Sequence, residues 1–288
     1  MSAMREQMLP ADRRQVIADL VRERGSVRGR DLVDVLGVTD ETIRRDLARL
    51  SEQGLLRRAH GGAIAIRPGD ETDTAFRLRE HADEKVAIGR RAAELVRDRS
   101  SIILDSGTTT LCLARALHHR QELVVVTTAV TNAIELVGDP GTTVIMTGGV
   151  IRPTTFGASG QLAAATLRGL HVDQTFLAIH SVSLEGGLTY PLLEEVDAKR
   201  AMIEAAEEVI LLADHSKFGR RALVKVASLT AVHKIITTSG LDPDEAAAIR
   251  DLGIDLIIVE PIVGLTDGER PAGSTDRRSR APVGSPPR

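Results

Sequence analysis

Two groups of residues in this 288-residue chain could do chemistry by virtue of type and spacing. The first group is basic. In residues 39–50, TDETIRRDLARL, Ile43, Leu47 and Leu50 recur at i, i+4 and i+7, while Arg44, Arg45 and Arg49 fall off that line. The spacing predicts a helix that buries one stripe and leaves its guanidinium groups free. Free guanidinium groups take phosphate oxygens, or the paired acceptors of a guanine edge. The second group consists of polar loops that follow apolar runs. These are Asp105-Ser106-Gly107-Thr108-Thr109-Thr110, Thr147-Gly148-Gly149, Gly186-Gly187 with Glu194, Glu195 and Lys199 beyond it, and Asp214-His215-Ser216-Lys217. Hydroxyls, an ammonium and the N–H groups of a helix start suit a phosphate dianion, and carboxylates suit sugar hydroxyls. The Ser-Gly-Thr loop lacks a Walker lysine, so a nucleotide P-loop is not supported.

A 12-residue helix is marginal alone, so its stripe must dock on neighbours. Residues 10–24 read as a first helix with Val16, Ile17, Leu20 and Val21 facing inward and Gly25 as its stop, and residues 30–36 as a second, ended by Gly37. Thr39 is placed to cap the third helix, Asp40 and Glu41 sit at its positive end, and Thr42 helps to position it. Residues 36–39, LGVT, make the tight turn between helices two and three, and Gly54 ends the third. This is the helix-turn-helix order, whose last helix enters the DNA major groove. Residues 55–66, LLRRAHGGAIAI, read as two short strands around a His-Gly-Gly turn, a wing that carries Arg57, Arg58 and His60 toward the DNA backbone.

Residues 67–75 mix Pro, Gly and acidic side chains and read as a linker, and residues 76–99 as helical. Seven apolar runs follow, at 101–105, 123–128, 143–149, 174–179, 208–214, 234–238 and 255–259, with helical segments at 109–117, 129–137, 159–168, 194–206 and 243–252. Near-continuous apolar strands alternating with helices predict a parallel sheet covered on both faces, an α/β domain over 76–263. From 264 onward the chain is rich in Gly, Pro, Ser and Arg without periodicity and is expected to be disordered.

Charge divides along the same lines. Residues 1–67 hold 13 arginines against 10 acidic residues, residues 68–270 hold 20 basic against 29 acidic, and residues 271–288 four arginines against one aspartate. A basic small domain on an acidic body fits a protein that touches DNA with one end. Cys112 is the only cysteine, which excludes an internal disulfide, and it falls in an apolar helix as a core residue. No apolar run is long enough to span a membrane, and no secretory signal is evident, so a cytoplasmic protein is expected. No Cys/His cluster has metal-ligand spacing, and no cofactor or metal is expected; His118-His119 reads as an exposed helix end.

Residues 41–63, ETIRRDLARLSEQGLLRRAHGGA, closely resemble the recognition helix and wing of the DeoR family of bacterial transcriptional regulators. The likeness continues through DSGTTT (105–110), TGG (147–149), GGLTYPLLEEVDAKRAMI (186–203) and DHSKFGR (214–220), and covers about nine-tenths of the chain. It implies a winged helix-turn-helix joined to an effector-sensing α/β domain of the sugar-phosphate isomerase type, with the effector held by loops beginning at Ser106, Gly148, Gly186 and Asp214. Three loops depart from the family pattern, at Thr127-Thr128-Ala129, His180-Ser181-Val182-Ser183 and Thr237-Thr238, so the resemblance does not fix the effector. The expected function is a repressor of a carbohydrate-use operon that binds operator DNA as a homo-oligomer and responds to a phosphorylated sugar. The alternative is a sugar-phosphate isomerase with a DNA-binding appendage, which needs Asp105, Glu194 or Glu195 as a carbon base.

Overall fold

The computed structural model describes residues 8–52, 55–59, 61–65, 74–118, 120–262 and 264. The expected helix stop at Gly54, His60 of the wing, most of the expected linker and the tail beyond 264 lie outside the described residues. The chain divides into two compact units, Met1–Phe76 and Arg77–Arg288.

In the first unit, α1 (Pro10–Arg24), β1 (Ser26–Arg28), α2 (Gly29–Leu36), α3 (Asp40–Glu52), β2 (Arg57–Ala59) and β3 (Gly62–Ile64) surround one small core. Pro10 opens α1, where its missing N–H costs nothing, and Gly25 closes it in the left-handed conformation. Ile17, Ala18 and Val21 of α1 meet Leu32 of α2 and Ile43, Leu47 and Leu50 of α3, all buried. The predicted stripe of α3 is therefore its docking face. The wing strands pair as expected, Arg57 opposite Ile64 and Ala59 opposite Gly62. The spacing did not reveal β1, which joins them as a third strand with β3 in the centre. At three residues, β1 is too short to show a period.

Helix α4 (Thr74–Arg79) runs across the boundary between the units, and α5 (Ala82–Leu95) follows within the second. The single helical stretch expected over 76–99 is two helices. His81 sits between them at φ 52°, a left-handed backbone that no continuing helix can contain. Then come β4 (Ser101–Leu104), α6 (Thr108–Ala116), β5 (Leu123–Thr127), α7 (Val130–Leu136), β6 (Thr142–Met146), β7 (Val150–Ile151), β8 (Ala158–Ser159), α8 (Gln161–Arg168), β9 (Val172–Ala178), β10 (Ser181–Ser183), β11 (Gly187–Tyr190), α9 (Leu193–Glu204), β12 (Ala206–Leu212), β13 (Val224–Ala227), β14 (Lys234–Thr238), α10 (Pro243–Asp251) and β15 (Asp255–Val259). The seven apolar runs are the seven strands of one sheet, in the order β15-β14-β12-β9-β4-β5-β6 with every pair parallel.

Alternate residues of each central strand serve opposite faces. Ile103, Leu177, Leu211 and Ile235 pack with α8, α9 and α10. Ile102, Leu104, Phe176, Ile210 and Ile236 pack with α5, α6 and α7. That two-sided burial explains why the strands read as continuous apolar runs. Strand order reverses between β4 and β9: the chain moves outward from β4 through β5 to β6, then returns to the other side of β4. A crevice opens at such a switch point, beyond the carboxyl ends of the two strands.

One prediction concerns the wing. A Cβ on Gly62 would lie 2.1 Å from the backbone oxygen of Val27, so β3 can approach β1 only with glycine there. Gly62→Ala is expected to cost the first unit about 1–3 kcal/mol and to accelerate amide hydrogen exchange across Ser26–Arg28 and Gly62–Ile64. Unchanged exchange would show that the close approach does not hold the wing.

Candidate functional site

The basic face of the first unit comes from helix spacing and short-range pairing. Thr39 caps α3 as expected: its Oγ1 accepts from the N–H of Thr42 at 3.3 Å and lies 2.9 Å from the Thr42 hydroxyl. Arg44 and Arg45 pair with Asp40 (2.8 Å) and Glu41 (3.1 Å), one turn back on the same helix, and both guanidinium groups remain largely exposed. Exposed i,i+4 pairs contribute about 0.3–0.5 kcal/mol, so they hold the side chains extended without withholding them. Asp46 behaves differently. It is buried, 2.6 Å from Nε of Arg13 and 3.8 Å from Arg14, and pins α3 to α1. Arg49, Arg57 and Arg58 are exposed, as are Arg28 at the end of β1 and Arg30 at the start of α2, which the spacing does not single out.

At the switch point of the larger unit, the expected ligand-binding residues divide into two groups. Ser106, Gly107, Thr108, Thr109, Asp214 and Lys217 line one pocket of about 530 Å³, its open mouth included. Arg77, Lys85, His180 and Tyr190 complete its walls. Gly107 takes the N-cap position of α6, and no side chain caps the helix, so its first turn presents N–H groups to the pocket. Asp214 is fully buried. Its Oδ1 accepts from the N–H of Ser216 at 3.1 Å and from the Ser216 hydroxyl, and its Oδ2 has no hydrogen-bond partner. Burial raises the Asp214 pKa, but the nearby charges of Lys217 and Lys85 and the bond from Ser216 outweigh it, and the carboxyl is held below its ordinary range.

Two lining cations, Arg77 and Lys85, are not among the residues expected from the sequence, and Lys85 is the more deeply buried. It is 2% exposed, and its Nζ donates to the backbone oxygens of Arg77 and Glu80, each at 2.5 Å. Burial pushes its pKa down to about 8. The signal was available: Lys85 falls in register with Ile88, Ala92 and Val96, so a cation occupies the apolar stripe of α5.

Other expected ligand groups are already committed elsewhere. Asp105 and Lys199 form a buried ion pair, Nζ to Oδ2 at 2.6 Å. Lys199 also donates to the Ala178 oxygen at 2.9 Å and lies 4.6 Å from the Tyr190 ring centroid. Asp105 accepts from the N–H groups of Ser106 (2.7 Å) and Ala178 (3.0 Å). The Thr110 hydroxyl bonds back to the oxygens of Asp105 and Gly107. Glu194 is exposed and meets Arg152 at 3.0 Å; Glu195 is buried, 3.0 Å from the same guanidinium, and bonds to Tyr190. Gly148, Gly149 and Gly187 lie outside the pocket lining and serve the backbone. A Cβ on Gly149 or Gly187 would strike the oxygens of Ser159 (2.6 Å) or Ala227 (2.3 Å), at the β7–β8 hairpin and the β11–β13 contact. None of the carboxylates considered as a carbon base is a free carboxylate in the pocket. Cys112 is buried, with burial raising its pKa to about 11, as suits a core thiol.

With these geometries established, comparison with known proteins is decisive. A DeoR-like helix-turn-helix domain matches residues 13–68, and a DeoR C terminal sensor domain matches residues 80–239. The chain belongs to the DeoR family. It is 38% identical to the HTH-type transcriptional regulator YulB of Bacillus subtilis over 88% of this chain and 98% of that protein. It is 34% identical to the glycerol-3-phosphate regulon repressor of Escherichia coli over 80% of this chain and 91% of that one. Among solved structures, ribose 5-phosphate isomerase from Plasmodium falciparum shows a loose likeness of fold, with TM-score 0.34, 14% identity, and 48% and 53% of the two chains covered. As a DeoR-family transcriptional regulator, the chain binds DNA through its helix-turn-helix domain and a small-molecule effector through its sensor domain. Among the described residues, no helix is long and apolar enough to cross a membrane.

The Asp105–Lys199 pair yields a second prediction. Asp105→Ala leaves the Lys199 ammonium buried against one carbonyl and an aromatic face, and is expected to destabilise the larger unit by about 3–5 kcal/mol. Urea unfolding followed by far-UV circular dichroism measures this; a loss below 1 kcal/mol would mean that the pair is not what holds the β4–β9 crevice.

Proposed function

We propose that this regulator is a repressor of a carbohydrate-use operon whose affinity for operator DNA changes when the Ser106–Lys217 pocket takes a phosphorylated sugar or related metabolite. One observation carries the reading. A single pocket at the strand-order switch presents three cationic side chains, Arg77, Lys85 and Lys217, and an uncapped helix N-terminus beside a carboxylate oxygen that has no partner. The cations and the N–H groups of residues 107–109 take the phosphate, and Asp214 takes a sugar hydroxyl. The name of the E. coli relative, the glycerol-3-phosphate regulon repressor, supports a small phosphate ester as effector.

On the DNA side, Arg44, Arg45 and Arg49 of α3 enter the major groove, with Thr39 and Thr42 fixing the helix, and Arg57, Arg58 and His60 of the wing meet phosphates. We place the domains at 1–66 and 76–263, with 67–75 between them, and the protein in the cytoplasm, where operator and metabolite are both found. A ligand acts only by binding two arrangements unequally. Lys85 supplies the difference. Its ammonium bonds the oxygens of Arg77 and Glu80, in the α4 segment through which the chain enters the sensor domain, and a phosphate dianion competes for those same donors.

The test is fluorescence anisotropy with a duplex from upstream of the protein's own gene, with and without glycerol 3-phosphate, fructose phosphates and their unphosphorylated counterparts. Arg44→Ala is expected to cost about 1–3 kcal/mol of specific binding. Lys217→Met is expected to keep DNA affinity and lose the response to phosphate esters. A response that ignores the phosphate group, or one that survives in Lys217→Met, would overturn the pocket assignment.

Two half-sites call for two recognition helices. We assign the homo-oligomer contact to the β6 edge of the larger unit, where Ile134 and Val137 at α7 and Ile145 and Met146 on β6 are exposed on adjoining elements. Ile134→Asp combined with Met146→Lys is expected to lower the sedimentation mass toward one chain and to weaken operator binding at least tenfold. An unchanged mass would move the contact elsewhere.

A further inference from the structure

The fold brings His215 to two residues, His81 and Glu84, that lie more than 100 positions before it in the sequence. His81 stands at the N-terminus of α5, Glu84 one turn into it, and His215 in the turn after β12. Nδ1 of His81 lies 2.7 Å from Oε1 of Glu84, and Nδ1 of His215 lies 2.8 Å from Oε2. One donor atom from each of the three falls within 4.8 Å of the others. The imidazoles stand edge to face, with centroids 5.1 Å apart. All three side chains are partly buried, between 12% and 34% exposed.

From this geometry we infer that His81, Glu84 and His215 form a binding site for a divalent transition-metal ion of the zinc class. Two imidazoles and one carboxylate are the donor set that such ions favour over calcium or magnesium, and three protein ligands leave coordination positions for water. The Glu84 carboxylate already faces both imidazoles, one through each oxygen. Burial raises its pKa, but the bonds from Thr238, His215 and His81 more than compensate and hold it below its ordinary value. The supporting contacts a ligand set needs are also present. The Thr238 hydroxyl donates to Oε2 of Glu84 at 2.5 Å, and Gly240 leaves room for the His215 ring, which a Cβ there would meet at 2.7 Å. His81 is held at φ 52°, a backbone that costs energy for a side chain of its kind. An ion with bonds of about 2.0 Å in tetrahedral geometry requires donor separations of about 3.3 Å, so each histidine must withdraw from the carboxylate by about half an ångström.

The site is distinct from the effector pocket but shares its supports. Lys85 follows Glu84, and Asp214 precedes His215. A bound ion therefore ties α5 to the loop that carries Asp214 and Lys217, and the inference stands whether or not the pocket takes a phosphate ester.

The test uses the full-length protein, stripped with a chelator and titrated with Zn2+ by calorimetry. Saturation at one Zn2+ per chain with a micromolar or lower Kd is expected, together with a rise in Tm. His81→Gln and His215→Gln are each expected to weaken binding at least 30-fold. Zinc-edge X-ray absorption of the loaded wild-type protein is expected to show imidazole scattering from two histidines, and it decides the matter if a variant fails to fold. No saturable binding, undiminished binding in folded variants, or a spectrum without imidazole would overturn the site.

Discussion

The architecture of the sensor domain depends on one buried ion pair at the point where strand order reverses. Asp105 follows the last residue of β4, Lys199 projects from α9, and the two meet at 2.6 Å with both side chains about 2% exposed. Burying two charges costs several kcal/mol per ion, and their attraction repays that only when the remaining donors and acceptors are filled. Here they are. The carboxylate accepts from two backbone N–H groups as well as the ammonium, and the ammonium reaches the Ala178 oxygen and the Tyr190 face. Because Ala178 gives both its N–H and its carbonyl to this pair, the end of β9 is fixed against the end of β4. The mouth of the crevice takes its shape from that contact.

The same principle separates two kinds of arginine in the first unit. Arg13 and Arg14 are held by the buried Asp46, and their role is to fix the angle of α3 against α1. Arg44 and Arg45 are held only by exposed neighbours on their own helix, which phosphate or a base edge can replace at little cost. Identical side chains are thus fixed in place or left available according to whether the acidic partner is buried. A recognition helix needs both, since an arginine reads a groove only from a helix that does not roll.

This difference also explains what could be read from the sequence. Periodicity is local, so the three helices, the wing and all seven strands of the large sheet were legible, as was the apolar face of α3. The small sheet of β10, β11 and β13 was not, because strands of three or four residues, buried throughout β10 and β11, show neither alternation nor length. Among site residues, Ser106–Thr109, Asp214 and Lys217 were legible as polar groups at strand ends. Asp105 and Lys199 had the right chemistry for a ligand, but they neutralise each other across 94 residues of chain, and nothing local announces such a pairing. Lys85 was overlooked for the opposite reason: a lysine in a helix rich in charged residues looks solvated until its register with Ile88 and Ala92 is counted. The His81, Glu84 and His215 group lies beyond any spacing rule, since β12 and the whole of the sheet before it intervene.

On the proposed reading, Lys85 sets how strongly an effector can act. Its ammonium has three protons, and two are committed to the oxygens of Arg77 and Glu80. A ligand that engages only the third adds affinity equally to both arrangements of α4 and shifts nothing, however tightly it binds. A phosphate dianion, with its higher charge and several acceptor oxygens, competes for all three and leaves two part-buried carbonyls to find new partners. An unsatisfied buried carbonyl costs about 1–3 kcal/mol, which is the size of a typical coupling free energy between sites. The carbonyls that lose their partner are those of Arg77 in α4 and of Glu80 just after it, in the part of the sensor domain nearest in sequence to the DNA-binding unit. A neutral polyol has the hydroxyls to satisfy Asp214 but not the charge to draw Lys85 away, so it can occupy the pocket without moving the segment that matters.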